Sequence, residues 1–144
     1  MVPSSGYWRI LRPTCVLDTR IFSWITFDVE LRVADERLPS DVWIMAQVRR
    51  CNNDGIPAMV VRKGEAKGGT LLVKINQFAA GCQVLSQARD IDGNLGWLAA
   101  FKGACVPEAE ADAYIERAAA RDPDLWVVEV EDPDGRNPFA GKVF

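Results

Sequence analysis

Between residues 37 and 136 the apolar positions repeat with a period close to 3.6 in some segments and close to 2 in others. These two periods distinguish helices from strands. Ser40, after Pro39, is a favourable N-cap residue, and Gly55 follows a polar stop. The pattern therefore predicts a first helix over residues 40–53.

One face of this first helix carries apolar residues at helical spacing, namely Ile44, Met45, Val48 and Cys51. Val42, Trp43 and Ala46 fall off that face. The first two turns are therefore apolar nearly all round. This distribution predicts that the helix is covered on a second side, by the N-terminal tail or by another subunit.

Four strand-like runs follow, at residues 58–63, 70–76, 82–88 and 96–101. The short glycine-rich loop at 64–69 predicts a hairpin between the first two. Asp92-Gly93 predicts a turn between the last two.

A second helix is predicted after Pro107, which suits the first helical position, and before Pro123, which disfavours a helical residue ahead of it. Its apolar face consists of Ala111, Tyr114, Ile115 and Ala118. Residues 125–131 then predict a last strand. The order is helix, four-strand meander, helix, strand, which indicates an α+β fold with a mixed, mostly antiparallel sheet packed with two helices.

Three parts of the chain are predicted. Residues 1–36 lack a sustained period and are expected to be an N-terminal extension, either disordered or placed ahead of the true start. Residues 37–136 are expected to form a single α+β domain. Residues 137–144 are expected to be a polar C-terminal tail.

The amino-acid composition excludes some kinds of catalytic and metal-binding site. The chain has 144 residues and a net charge of −3, and it contains no histidine, so histidine-based catalytic pairs and metal sites are excluded. The four cysteines are not arranged in close pairs, which argues against a zinc site. We expect reduced thiols, no metal and no cofactor. No apolar run is long enough to cross a bilayer and no signal peptide is evident, so we expect a cytoplasmic protein.

Three stretches carry a family resemblance: residues 37–43 followed by Arg49-Arg50, residues 55–76, and residues 122–136. Together they resemble the small bacterial proteins grouped as "domain of unknown function 1491", and the closing DPDLWVVEVED segment is the most specific part. The resemblance implies a bacterial protein with the same fold. It implies no activity, ligand or catalytic residue.

An acidic cluster lies near the last strand and consists of Asp122, Asp124, Glu129, Glu131, Asp132 and Asp134. Clustered carboxylates can hold a divalent cation or serve as a general acid and base. Strand alternation places Glu129 and Glu131 on the face opposite Trp126. The simpler interpretation, which we favour, is turn chemistry plus a solvated strand face.

A basic set consists of Arg49, Arg50, Arg62, Lys63, Lys67, Lys74 and Arg89. One interpretation is anion binding beside the glycine-rich loop. The favoured interpretation is a cross-strand ladder in which Arg62 and Lys74 face glutamates on neighbouring strands.

Trp43, if exposed, would be an interface anchor, because tryptophan and arginine are enriched at binding hot spots. We therefore predict a binding or accessory module acting through protein–protein interaction or self-association. Its predicted surface comprises Trp43, Arg49, Arg50, Arg62, Lys63, Lys67 and Lys74. A protein partner or a second copy is expected rather than an anionic small molecule, nucleic acid or membrane.

The alternative is a phosphate- or nucleotide-binding protein or a small enzyme. It would use Arg50, Arg62 and Lys74 against the ligand. Glu129 or Glu131 would act as base or metal ligand, and all five side chains would have to converge on one concavity.

Overall fold

The computed structural model describes residues 38–144, so the predicted extension at 1–36 lies outside the described residues. In chain order the helices and strands are α1 (Ser40–Asn53), β1 (Ala58–Arg62), β2 (Leu71–Asn76), β3 (Cys82–Arg89), β4 (Leu95–Ala99), α2 (Glu108–Arg121), β5 (Trp126–Glu131) and β6 (Lys142–Val143).

The six strands form one mixed sheet in the order β1-β5-β2-β3-β4-β6. Strands β2, β3 and β4 are antiparallel neighbours, whereas β5 is parallel to β2 and antiparallel to β1. The α+β class is confirmed. The predicted hairpin between β1 and β2 is wrong, because β5 lies between them, and the meander contains three strands instead of four.

The central position of β5 follows from its sequence. Val127, Val128 and Val130 are all buried, with Val127 facing one side of the sheet and the other two facing the opposite side. A strand that is apolar on both faces needs cover from both faces and strand neighbours on both sides. Helix α1 covers one face of the sheet and helix α2 covers the other.

The α1 face of the sheet is wholly apolar at its centre. Three tryptophans from separate elements contribute to it, together with Phe139 from the C-terminal segment. The ring centroid of Phe139 lies 6.2 Å from that of Trp43 and 5.7 Å from that of Trp97. This aromatic cluster joins α1, β4 and the C-terminal segment.

The α2 face contains smaller apolar side chains. Ala111 is fully buried, and Tyr114, Ile115 and Ala118 pack partly buried against the sheet, as the helical spacing predicted. The ring of Tyr114 lies 5.3 Å from that of Phe101. Strand β4 ends at Ala99, before the predicted end of the fourth strand, because Phe101 and the following residue adopt left-handed φ angles.

The start of α1 departs from expectation. Pro39 occupies the N-cap position and no side chain caps the helix, so Ser40 is its first helical residue. The buried face is also rotated relative to the prediction: Trp43 is buried and Met45 is 48% exposed. The reason is that Trp43 packs against Phe139, which the sequence pattern did not connect to this helix.

The predicted C-terminal tail is part of the folded domain. Phe139 is 3% exposed, and β6 pairs in parallel with β4. The indole Nε1 of Trp97 donates a hydrogen bond to the carbonyl oxygen of Ala140 over 3.1 Å. Residues 137–144 therefore complete the core, which corrects the domain boundary predicted at residue 136.

Candidate functional site

A groove of about 600 Å³ runs between the exposed side of α1 and the loop that joins β1 to β2. Val42, Met45, Ala46 and Arg49 form the wall on α1. The opposite wall belongs to the loop, and Trp126 also lines the groove. We call this feature the α1 groove; its lining residues are Asp41, Val42, Met45, Ala46, Arg49, Lys63, Gly64, Ala66 and Trp126.

Hydrogen bonds hold the loop wall of the groove in place. The amide of Glu65 donates to the carbonyl oxygen of Asp124 over 3.1 Å, and the indole of Trp126 donates to the carbonyl oxygen of Glu65 over 2.8 Å. The amide of Asp41 donates to the carbonyl oxygen of Ala66 over 3.1 Å. The loop is thus tied both to the start of β5 and to the start of α1.

Gly64 is required for this close approach. A Cβ at this position would overlap the backbone of Asp124, so a larger residue would push the loop away from β5. The glycines of this loop suggested a hairpin, but in the structure they allow the loop to pass close to the backbone at the start of β5. The groove is therefore a preformed feature of the fold.

The electrostatics of the groove are set by Arg49 and Lys63. Both side chains are exposed, and neither forms an ion pair with another residue of the described segment 38–144. The carboxylate of Asp41 accepts a hydrogen bond from the amide of Val42 over 2.7 Å. The groove therefore combines apolar walls with one carboxylate, Asp41, and two cations that form no ion pair within residues 38–144.

Arg49 and Lys63, which the sequence predicts at the binding surface, both line the groove. The apolar lining is not predicted from the sequence, because the apolar pattern assigns Met45 to the buried face. The signal was present in the sequence: Val42, Met45, Ala46 and Arg49 follow a helical spacing of three and four residues.

Trp43 does not meet the condition for an exposed anchor. Its side chain is 8% exposed and belongs to the aromatic cluster of the α1 face. Arg50 lies apart from the groove as well, since its guanidinium donates a hydrogen bond to the carbonyl oxygen of Pro138 over 2.6 Å. Lys67 is exposed in the β1–β2 loop.

Lys74 occupies a different environment, beneath α2. Its ammonium contacts Asp112 at 2.7 Å, Glu108 at 3.0 Å and Glu129 at 3.4 Å, and its side chain is 4% exposed. Burial alone would lower the pKa of Lys74. The hydrogen bonds to Asp112 and Glu108 and the charge of Glu129 outweigh burial and raise that pKa. Lys74 is thus a protonated structural cation.

The predicted ladder is confirmed for one pair only. Lys74 lies opposite Glu129 on the neighbouring strand, as expected. Arg62 lies opposite Val127 and donates to the carbonyl oxygen of Pro123 over 3.4 Å. A register shift between Val60 and Arg62 and the insertion of β5 separate Arg62 from Lys74.

The five residues of the enzymatic alternative do not converge. Arg50 reaches the C-terminal segment on the α1 side, whereas Lys74 is enclosed on the α2 face. Within residues 38–144, Glu131 forms no ion pair. The concavity that this alternative requires is therefore absent from the described part of the chain.

Two of the acidic residues around β5, Asp122 and Asp132, stabilise turns through hydrogen bonds. Asp122 accepts a hydrogen bond from the amide of Asp124 over 3.0 Å. The buried carboxylate of Asp132 accepts bonds from the amides of Asp134 and Arg136 and from the Arg136 guanidinium. Burial would raise the pKa of Asp132, but these bonds hold that pKa below its usual value. Among residues 38–144 no group of three or more acidic or cysteine side chains is placed to hold a metal ion.

Three of the four cysteines lie in the described region, and all three are free thiols. Cys51 and Cys82 are buried, one on each side of the sheet, and burial raises the pKa of both. Cys105 is exposed. Cys15 lies outside the described residues.

Within residues 38–144 no helix has the length and apolar character needed to span a membrane.

Three solved structures are similar to this chain. A crystal structure of a DUF1491 family protein from Caulobacter crescentus CB15 is 39% identical, with a TM-score of 0.67, and the match covers 75% of this chain and all of that one. An NMR structure of a DUF1491 family protein from the same organism is 40% identical, with a TM-score of 0.64, covering 74% of this chain and 96% of that one. Protein Atu0922 from A. tumefaciens is 26% identical, with a TM-score of 0.56, covering 67% and 86%.

A search of the curated proteins finds no match. The family model described as "Protein of unknown function (DUF1491)" matches residues 38–140, which is most of the chain and includes the whole α1 groove. The resemblance inferred from the sequence is thereby confirmed, and the chain belongs to the DUF1491 family.

Proposed function

We propose that this protein is a small binding module that docks a partner polypeptide in the α1 groove. The observation that carries the proposal is the pairing of an apolar trough with two cations, Arg49 and Lys63, that have no ion-pair partner within residues 38–144. Such a surface is complementary to an apolar side chain flanked by carboxylates.

Preorganisation supports the same proposal. Hydrogen bonds from Glu65, Trp126 and Asp41 fix the loop wall, so a ligand does not have to order it. Binding to a rigid groove avoids the entropic cost of ordering a mobile one. The apolar residues Val42 and Met45 are 49% and 48% exposed, and a partner side chain would remove them from water.

We further infer that the module acts in a bacterial cytoplasm. Free thiols at Cys51 and Cys82 suit a reducing compartment. The related structures named above come from Caulobacter crescentus and A. tumefaciens, which agrees with a bacterial setting.

The test is an NMR titration of the full chain with a short capped peptide in which one leucine is flanked by two glutamates. We expect amide shifts to change along α1 around Met45 and in the loop around Gly64. Binding should weaken as salt is added, because both charge contacts are exposed to solvent. A peptide with lysines in place of the glutamates is the matched control.

Arg49→Glu should weaken binding of the acidic peptide and strengthen binding of the lysine peptide. Equal binding of both peptides, or shifts confined to residues away from the groove, would contradict the proposal. If inorganic phosphate alone reproduced the shifts and displaced the peptide, the groove would be an anion site and the polypeptide assignment would be wrong.

A further inference from the structure

The turn between β3 and β4 presents an isolated apolar side chain. Ile91 is fully exposed, more so than any other large apolar residue in the described part of the chain. It is flanked by two carboxylates, Asp90 and Asp92. We call residues 90–93 the hairpin tip. An apolar side chain between two acids is the chemistry that the α1 groove is built to accept.

Hydrogen bonds keep the hairpin tip in one conformation. The Asp90 carboxylate accepts bonds from the amides of Asp92 at 2.9 Å and Asn94 at 2.8 Å, and from the side chain of Asn94 at 3.1 Å. The amide of Gly93, at a left-handed φ of 83°, donates to the carbonyl oxygen of Asp90 over 3.0 Å. Ile91 is therefore held outward by a rigid turn.

The hairpin tip and the α1 groove lie at the same end of the sheet. Strands β2 and β5 begin at this end, where β1 and β3 finish, since each is antiparallel to one of them. The groove lies beside β1 and β5, and the tip joins β3 to β4. The two features are separated by roughly three strand spacings, on the order of 14 Å across the sheet.

We propose that two copies of this chain form a reciprocal dimer in which the hairpin tip of each copy occupies the α1 groove of the other. Ile91 packs against Val42 and Met45, and Asp92 meets Arg49 and Lys63. A two-fold axis perpendicular to the strands, midway between tip and groove, generates both contacts at once. This arrangement makes the interface isologous and closed.

The proposal rests on the α1 groove being the docking surface, and it adds the identity of the occupant. It also accounts for a feature of the sequence, because the first two turns of α1 are apolar on more than one side. The aromatic cluster covers Trp43, and the second copy would cover Val42 and Met45. The small area of two such contacts fits a dimer that dissociates readily.

Sedimentation equilibrium of the full chain, from micromolar to millimolar protein, tests the dimer. Ile91→Ser removes the apolar side chain of the hairpin tip, and Arg49→Glu replaces one of the two cations of the groove by a carboxylate. Each variant should raise the dimer dissociation constant by about tenfold or more, because both copies lose their contacts. Leu98→Ser, at a side chain that is 55% exposed on β4, is the control and should leave the constant unchanged.

Mixing the two variants supplies a stricter test. Ile91→Ser retains an intact groove and Arg49→Glu retains an intact tip, so the mixture can form one of the two contacts. We expect the mixture to associate more strongly than either variant alone. Unchanged melting temperatures for both variants would show that the fold is intact, as expected for substitutions at exposed sites.

A wild-type chain that stays monomeric throughout, a dimer that persists in Ile91→Ser, or a mixture no stronger than its components would each overturn the reciprocal dimer. The peptide titration separates this failure from failure of the groove itself. In Ile91→Ser the hairpin tip of one copy no longer fills the groove of the other. The titration of this variant therefore measures peptide binding without competition from the tip. Peptide binding by a chain that does not dimerise would leave the proposed function standing.

Discussion

The two faces of the sheet are each covered by a fourteen-residue helix, yet they are built in different ways. On the α1 face the core contains large apolar side chains, and the ring of Phe139 packs against those of both Trp43 and Trp97. On the α2 face the equivalent central position is Lys74, which ties β2 to the first two turns of α2.

The contrast shows how each helix is held. Helix α1 is fixed by non-directional burial of large side chains, which scales with the apolar area removed from water. Helix α2 has one fully buried residue, Ala111, and depends in addition on directional contacts to a buried ammonium. Burial of a charge is favourable only when its partners compensate for lost hydration.

The largest loss of stability is expected from a substitution in the aromatic cluster of the α1 face. Trp97→Ala should lower the free energy of unfolding by about 3–5 kcal/mol, because it opens a cavity at a site with no solvent exposure. It also removes the hydrogen bond to Ala140. Urea denaturation provides the measurement. Tyr114→Ala, at a half-buried site on the α2 face, is the matched substitution and should cost less; an equal loss would refute the contrast.

A smaller effect is expected from the polar side. Lys74→Met keeps the length of the side chain but leaves Glu129, whose side chain is 18% exposed, without its cation. We expect a loss of about 1–3 kcal/mol in the free energy of unfolding. Lys67→Met, at an exposed lysine with no ion pair inside residues 38–144, is the control and should change stability by less than about 0.5 kcal/mol. A variant more stable than the wild type would show that Lys74 is not needed to hold α2.

The difference in the free energy of unfolding between wild type and Lys74→Met should depend on pH in one direction. The pKa of Lys74 is raised in the folded state. The contribution of Lys74 to the free energy of unfolding is therefore complete below the pKa of an unfolded lysine, about 10.4. It is lost as the pH rises through the higher pKa of the folded state. The stability difference between wild type and Lys74→Met should stay constant from about pH 7 to pH 10 and shrink above it. A difference that already declines between pH 7 and pH 9 would be inconsistent with this assignment.

The smallest effect concerns the thiols, which report on each face separately. Of the three cysteines in residues 38–144, Cys105 is exposed and should be alkylated first by iodoacetamide at neutral pH. Cys82, beneath α2, should follow, and Cys51, on the buried face of α1, should react last, because fewer large side chains must separate to expose the α2 face. Peptide mapping by mass spectrometry resolves the three sites. Labelling of Cys51 before Cys82 would reverse the order of stability proposed for the two faces.

Much of the fold was predictable because its signals are local. The two helices, the alternation in β5 and the apolar face of α2 all follow from periodicity within a few turns. The order of the strands was not predictable in this way, because it depends on the pairing of β2 with β5, for example of Val73 with Val128, which are far apart in sequence. The indication was the nearly continuous apolar run of β5, which is typical of a strand buried on both faces.

Only part of the α1 groove was predictable, because local signals can be read from the sequence and contacts between distant residues cannot. Arg49 and Lys63 were identified from their charge and position, and both line the groove. Lys74 was expected on an open strand face, because one-dimensional alternation cannot reveal a helix covering that face. Trp43 and Met45 exchanged roles because the contact with Phe139 spans almost the whole domain.

The central position of β5 also bears on how the chain folds as it is synthesised. Among the strands of residues 38–144, β1 lies at one edge with β5 as its only neighbour, and the pairing joins residues near 60 to residues near 128. Until Trp126–Glu131 has left the ribosome, β1 lacks the strand that it pairs with in the described part of the fold, and β2 has only β3 of its two described neighbours. Contacts of such long sequence separation form slowly. A nascent chain stalled ahead of residue 126 would expose the unpaired edges of β1 and β2, which are surfaces prone to aggregation.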